Sequence, residues 1–264
     1  MTRHLLRMLA GCASAALLAY AAQATAQIAP ERTLEELKSE IQARADRKAY
    51  PVANLDAAEV REVLATLRTK DRDEWATAWS VMGERHRKRA DALRSTDAAA
   101  ARAAYLKSWH YYLFARFPTE NSAGKKRAYQ EALASFAEYA KLTDPPVRTV
   151  RIPFEGKEIV GYYQMPRTSR PAPVVLVISA LDGRKEDAAV RSEAFIPAGI
   201  GYFAVDMPGT GQAPIKVDVG AERMFSRVID WLQMRAEVDS TRIAVQGGSW
   251  SGYQRLGGTL NSNP

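Results

Sequence analysis

Two consecutive prolines, Pro145 and Pro146, divide this chain into stretches of different periodicity. A proline cannot donate a backbone hydrogen bond, and the residue before it is biased towards extended backbone. No helix is expected to run through that point. Upstream, from about 33 to 142, the pattern is helical. Thr33 and Glu36 have capping-box spacing, and Asp56-Ala-Ala-Glu59 opens a second helix in a similar way. Trp75, Trp79 and Met82 recur at i, i+4 and i+7, one face of a helix. Ala103, Leu106, Trp109, His110 and Leu113 do the same before Pro118, and Tyr129, Leu133, Phe136 and Tyr139 mark the last helix. No fixed repeat period is evident, so a solenoid is not expected.

Downstream the period shortens. Val147 to Phe154 and Glu158 to Met165 read as strands joined at Glu155-Gly156-Lys157. Val174-Val-Leu-Val-Ile178 is a continuous apolar run, as expected of a strand buried on both faces of a sheet. A helix at about 185 to 196, a strand at Tyr202 to Val205, a helix at about 220 to 235 and a strand at Arg242 to Gln246 follow. Strands alternating with helices predict a parallel sheet with right-handed crossovers. The predicted organisation is a leader over 1–26, a helical domain over 27–146 and an α/β domain over 147–264.

The leader reads as a secretory signal. Arg3 and Arg7 precede an apolar run from Met8 to Ala22, and Ala24-Thr25-Ala26 places small residues for cleavage after Ala26. The run is shorter than the ~20 residues a membrane-spanning helix needs. A periplasmic or secreted protein with no stable span after cleavage is expected. A lipoprotein signal at Cys12 is the rival, because Leu9-Ala10-Gly11-Cys12 has lipobox form. Arg7, only a few residues ahead, leaves almost no apolar segment before that cysteine.

With 47% hydrophobic and 25% charged residues, the chain is neither disordered, collagen-like nor a polytopic membrane protein. One cysteine excludes an intrachain disulfide and a cysteine-built zinc site. The net charge of +7 is spread thinly, whereas a nucleic-acid binder more often concentrates it. The basic run Arg85-His86-Arg87-Lys88-Arg89 shares its helix with Glu84 and Asp91 and reads as a solvated face.

The chemistry is carried by the run from the strand Ile243-Ala-Val-Gln246 into Gly247-Gly248-Ser249-Trp250-Ser251-Gly252. This is close to the G-x-S-x-G nucleophile elbow, in which a serine on a strained strand-to-helix turn projects above the sheet. Neighbours two positions either side must be small. Gly247 satisfies this, and Ser251 stands where glycine is usual. The turn would aim the Trp250 N–H at a developing oxyanion. The loop Ser179-Ala180-Leu181-Asp182-Gly183 after the buried strand is where a second donor is expected, with the Leu181 N–H as candidate. The alternatives are a glycine-rich turn and an ordinary loop without catalysis. Asp206-Met-Pro-Gly-Thr-Gly211 is neither a P-loop, lacking Gly-Lys-Ser/Thr, nor a Rossmann fingerprint, lacking the third glycine. It reads as a rigid turn at a pocket rim.

Several separate segments agree in order with one family. Val150-Arg-Ile-Pro-Phe-Glu-Gly-Lys157, Leu181-Asp-Gly-Arg-Lys-Glu-Asp187, Val205-Asp-Met-Pro-Gly-Thr-Gly-Gln-Ala-Pro214 and Gln246-Gly-Gly-Ser-Trp250 resemble the α/β hydrolases related to 2,6-dihydroxypseudooxynicotine hydrolase and the esterase FrsA. Tyr105 to Pro118 is similar to the N-terminal helical cap of that group. The resemblance implies a partial α/β-hydrolase parallel sheet with an N-terminal all-helical cap domain. It also implies a serine–aspartate–histidine triad that hydrolyses esters or C–C bonds next to ketones. Ser249 would be the nucleophile, and Trp250 and Leu181 the oxyanion amides. The expected partner is a small-molecule ester or ketone, with no nucleic acid, no metal, no cofactor, and an oligomer possible.

In that fold the order is Ser, then Asp or Glu, then His. Residues 250–264 contain no Asp, Glu or His. The expectation is therefore a C-terminally truncated or frame-shifted member, inactive as given. The alternative is a non-catalytic secreted binding or interaction protein built on a hydrolase remnant. Of the remaining histidines, His110 is expected to pack or line a pocket, and His86 to be solvated. Asp206 is expected to be structural. Trp109, Tyr112 and Phe136 are expected to be core rather than a substrate box.

Overall fold

The computed structural model describes residues 31–249 and Ser251. The expected leader, Cys12 and Trp250 lie outside the described residues. Two compact units are present, one ending at Ser39 and one beginning at Glu40. In the first, the Thr33 N–H donates to Glu36 Oε2 (2.8 Å) and the Glu36 N–H to Thr33 Oγ1 (3.2 Å), the reciprocal capping box the spacing predicts. It opens helix α1 (Leu34–Asp46).

From residue 40 onward the order of elements is α2 (Ala57–Thr66), α3 (Arg72–Leu93), α4 (Ala98–Arg116), α5 (Ala123–Lys141), β1 (Arg148–Phe154), β2 (Lys157–Gln164), β3 (Ala172–Ile178), α6 (Lys185–Ser192), a 3-10 turn (Glu193–Ala198), β4 (Gly201–Val205), α7 (Arg223–Gln233) and β5 (Val238–Gly247). Helix α5 ends and β1 begins on either side of the two prolines. The stretch expected to be helical through 196 tightens to 3-10 after Ser192 and stops at Gly199, which takes a left-handed φ of 75° after Pro197. Pro197 has no N–H to continue an α-helical ladder.

The sheet has the order β1-β2-β4-β3-β5. Only β4, β3 and β5 are mutually parallel. β1 and β2 form an antiparallel hairpin, and β2 pairs antiparallel with β4. The sheet is thus mixed, with the alternating β/α part of the sequence supplying its parallel portion. The predicted hairpin joint at Glu155-Gly156 accounts for the rest: both residues take positive φ, which reverses the chain directly.

Successive side chains on a strand face opposite sides, and the two cores follow that rule. Tyr202 and Ala204 of β4, with Tyr162 of β2 and Val177 of β3, face a core that includes Trp109, Tyr112 and Phe136 from α4 and α5. Phe203 and Val205, with Tyr163 and Leu176, face the opposite core, closed by Met224, Val228 and Leu232 of α7. Helices α4 and α5 therefore cover one face of the sheet, and α7 covers the other. Trp109, Tyr112 and Phe136 are core, as expected.

Phe136 is fully buried and joins the two patterns, its ring lying 5.7 Å from Trp109 and 4.5 Å from Tyr162. Removing a buried phenylalanine loses its transfer energy and leaves a cavity. Phe136→Ala is expected to lower stability by about 3–5 kcal/mol in urea denaturation. A loss below about 1 kcal/mol would contradict this packing.

Candidate active site

The carboxyl ends of the three parallel strands finish level. Ile178 pairs with both Val205 and Gly247 in the register of the sheet. The segments that follow, beginning at Ser179, Asp206 and Gly248, therefore leave the sheet at one end. In open α/β sheets that end is where ligands bind.

At the end of β5 the chain turns sharply. Ser249 has φ of 57°, one of three non-glycine residues among those described with positive φ. A serine held in the left-handed region stores strain. Gly247 explains the tightness: a Cβ placed there would lie 2.7 Å from the Ser251 carbonyl oxygen. Ser251 is fully buried, and its hydroxyl turns back on the bend. Its Oγ accepts from the Gly248 N–H (3.0 Å) and donates to the Gly248 carbonyl (2.7 Å). A serine is thus accommodated where glycine is usual, by making the turn's own hydrogen bonds. Ser249, by contrast, is exposed.

Ser249 opens on a cavity of about 410 Å³. Helix α4 contributes Trp109, His110, Leu113, Phe114 and Arg116 to its wall. The segment after β3 contributes Ala180, Asp182 and Gly183, and α6 contributes Asp187, Val190 and Arg191. Tyr50 and Leu55 close a further side. Leu181 is 53% exposed and is flanked by Ala180 and Asp182, both of which line the cavity.

The segment carrying Leu181 is held by buried charge. The Arg184 guanidinium grips Glu120 with Nη2 at 2.6 Å and Nε at 3.0 Å, and Nη1 donates to the Gly183 carbonyl at 2.5 Å. Arg116 donates from Nη2 to the Asp182 carbonyl and from Nη1 to the Pro118 carbonyl, both at 2.7 Å. The Lys185 ammonium lies 2.7 Å from Glu186 and 3.2 Å from Asp206, all three side chains being essentially inaccessible. Burial pushes the Glu186 carboxyl up, against the pull of the Lys185 ammonium. Asp206 also accepts from the Lys185 N–H (2.8 Å) and the Gln212 N–H (2.9 Å). It is structural, as expected. The Tyr50 hydroxyl donates to Asp182.

A family model described as "Esterase FrsA-like" matches residues 39–257. The chain belongs to the FrsA-like esterase family. It is 27% identical over 243 residues to the alpha/beta hydrolase ucsC of Acremonium sp, covering 80% of this chain and 49% of that protein. It is 30% identical over 230 residues to the hydrolyase ccsE of Aspergillus clavatus, covering 76% and 52%. The crystal structure of 2,6-dihydroxy-pseudo-oxynicotine hydrolase superposes with a TM-score of 0.63 at 17% identity, covering 72% of this chain and 54% of that one. The fold is that of a partial α/β hydrolase. The chain spans about half the length of the curated relatives it matches.

Two histidines are placed differently from one another. His86, expected to be solvated, is buried. Its Nε2 donates to Glu59 Oε2 at 3.0 Å, and its ring stacks on Tyr111 at 5.4 Å. Glu59 also accepts from the Tyr111 hydroxyl at 2.5 Å. The carboxylate predicted to close the Asp56 capping box is therefore drawn inward instead, and it takes His86 with it. His110 lines the Ser249 cavity and is half-buried. Burial alone lowers its pKa to about 4. The imidazole is neutral at physiological pH.

Sequence reasoning did not single out Arg116, Arg184, Lys185 or Glu186. Their signal was the charged run Arg184-Lys-Glu-Asp187, which read as part of a resemblance rather than as a buried cluster. Among the described residues no cluster of His, Cys, Asp or Glu could hold a metal ion, and no helix is long and apolar enough to cross a membrane.

Two tests address this geometry. Gly247→Ala forces the Ser251 carbonyl away and is expected to cost about 1–3 kcal/mol. It should also slow covalent modification of Ser249, whereas an unchanged rate would contradict the turn. The second concerns acid. The unfolded His110 imidazole has a pKa of about 6.5. Between that value and the folded value of about 4, the unfolded chain takes up a proton that the folded chain does not. The contribution is complete above the unfolded value and declines as the pH falls towards the folded one. Denaturation across that window should show a decline smaller by roughly 2 kcal/mol in His110→Gln than in the wild type. An identical decline would contradict a neutral imidazole in the folded chain.

Proposed function

We propose that this chain carries the nucleophile of a serine hydrolase acting on an ester or a ketone-activated C–C bond. The observation that supports it is Ser249 at positive φ, on the tight turn after β5, opening on the cavity. In this reading Ser249 Oγ attacks the substrate carbonyl carbon and its proton passes to a general base. The tetrahedral oxyanion is stabilised by the Trp250 and Leu181 amides. Collapse expels the leaving group, which takes up the proton, and water then releases the acyl group from Ser249.

The base is the part of this reaction that residues 250–264 do not contain. Among the described residues His110 shares the cavity, but burial makes its imidazole a weak base, and no carboxylate among those residues orients it. The polypeptide of this sequence alone is expected to give little turnover, limited to what an oxyanion hole and binding provide. The second reading is a non-catalytic binding protein that keeps the hydrolase fold. The Arg3, Arg7 and Ala24-Thr25-Ala26 pattern supports export to the periplasm or outside the cell for either reading.

A fluorophosphonate probe separates them. A single phosphonyl adduct on the peptide containing Ser249, absent in Ser249→Ala, supports the hydrolase. A folded chain that takes no adduct would favour the binding protein. A burst of product from a nitrophenyl ester that depends on Ser249 would contradict the expected lack of turnover.

A further inference from the structure

The anchor at the start of α6 encloses one more carboxyl group than it can neutralise. The side chains of Lys185, Glu186 and Asp206 are 0%, 0% and 1% exposed, so one ammonium faces two carboxyls with no water between. The neighbouring Arg184 is engaged by Glu120 at 2.6 Å, and among the described residues no second cation pairs with Glu186. An unpaired charge held out of water is so costly that such a group normally changes its protonation instead.

The hydrogen bonds decide which carboxyl gives way. Asp206 accepts from the Lys185 N–H (2.8 Å), from Lys185 Nζ (3.2 Å) and from the Gln212 N–H (2.9 Å). Donors of this kind favour the charged form. Lys185 Nζ lies 2.7 Å from Glu186 Oε1, yet neither oxygen of Glu186 accepts an aligned hydrogen bond. The elements around it offer phenols rather than cations. Tyr162 of β2 and Tyr129 of α5 feel the Glu186 charge; both are buried, and the Tyr129 hydroxyl has no partner among the described residues. Strand β3 has no titratable side chain. Tyr202 of β4 and Glu193 of the 3-10 turn lie with Arg102 and Tyr139 instead. Asp187, next on α6, accepts from the Arg184 N–H. Burial therefore pushes the Glu186 carboxyl above its ordinary range.

We propose that Glu186 is a built-in pH switch: protonated, it lets the anchor close over a single ion pair, and its ionisation on the alkaline side opens the start of α6 together with the loop that carries Leu181. Lys185 and Glu186 are the first two residues of α6, and residues 181–184 lead directly into them. When opening admits water to Glu186, the carboxyl releases the proton that the closed form holds. The open population therefore rises about tenfold per pH unit from the ordinary carboxyl value of 4.5 up to the raised value of the closed form, and levels off above it. Acid keeps the anchor shut, the opposite sense to His110. The switch operates whether or not Ser249 reacts.

Hydrogen–deuterium exchange of the full chain, wild type against Glu186→Gln, reads the switch. The glutamine keeps the shape of the protonated carboxyl and has no proton to lose. Taking the ratio of wild-type to variant rate at each pH, for the amides of Lys185 to Ala189, cancels the base catalysis of exchange itself. That ratio is expected to climb about tenfold per pH unit between about pH 5 and 6.5. A role in packing alone would leave it independent of pH, and a flat ratio overturns the switch. Should Glu186→Gln fail to fold, infrared spectroscopy of the wild type with isotope-labelled glutamate carboxyls decides. One protonated carboxyl band is expected to persist about two units above the ordinary value of 4.5, where exposed glutamates are ionised. Its absence there overturns the proposal.

Discussion

The bend after β5 is fixed by Ser251 folding back over Gly247 and Gly248. Its carbonyl occupies the space a Gly247 side chain would need, and its hydroxyl bonds both polar groups of Gly248. With both flanks so constrained, the residue between them has to turn outward, and Ser249 takes the left-handed backbone that results. Positive φ is uncommon for a residue with a Cβ and persists only when its surroundings over-determine it. Here the surroundings are a parallel pairing of β5 with β3 on one side and the buried Ser251 on the other.

The segment that shares a cavity with that serine is held by charges taken out of water. The Leu181 segment is anchored by Arg184 on Glu120, by Arg116 on the Asp182 carbonyl and by Lys185 between Glu186 and Asp206. Buried ion pairs add little net stability, because desolvation offsets most of the attraction. Removing one partner is expensive, and the geometry they impose is therefore rigid. Glu120 follows α4, Arg184 precedes α6 and Asp206 follows β4, so α4 and the sheet are joined through the loop that shares the cavity with Ser249. An oxyanion donor must be in place before the charge develops. In the reaction proposed above, a segment anchored at so many points would meet that requirement for the Leu181 amide.

Much of this was legible in the sequence, because periodicity and punctuation are local. The prolines at 145 and 146 mark the end of the helices, the unbroken run at 174–178 marks the central strand, and the glycines before Ser249 mark the bend. The antiparallel pairing of β1 and β2 in the sheet was less visible, since alternation with helices speaks only for the strands that alternate. His86 was misread for a similar reason. Its neighbours in sequence are basic, but its neighbours in space are Glu59 and Tyr111, which arrive from other helices. The same holds for Lys185 and Glu186: a charged run normally faces water, and only Asp206, which arrives at the end of β4, keeps these two inside. His110 was readable as a pocket residue from its place on the helix, whereas its lack of a carboxylate partner is a tertiary fact.

The most direct measurement is an experimental structure of the chain carrying a phosphonyl group. The account predicts the phosphorus bonded to Ser249 Oγ, inside the cavity beside His110, with the phosphonyl oxygen within hydrogen-bonding distance of the Leu181 and Trp250 amides. A structure with Ser249 in a regular helix, unmodified and remote from that cavity, would contradict it.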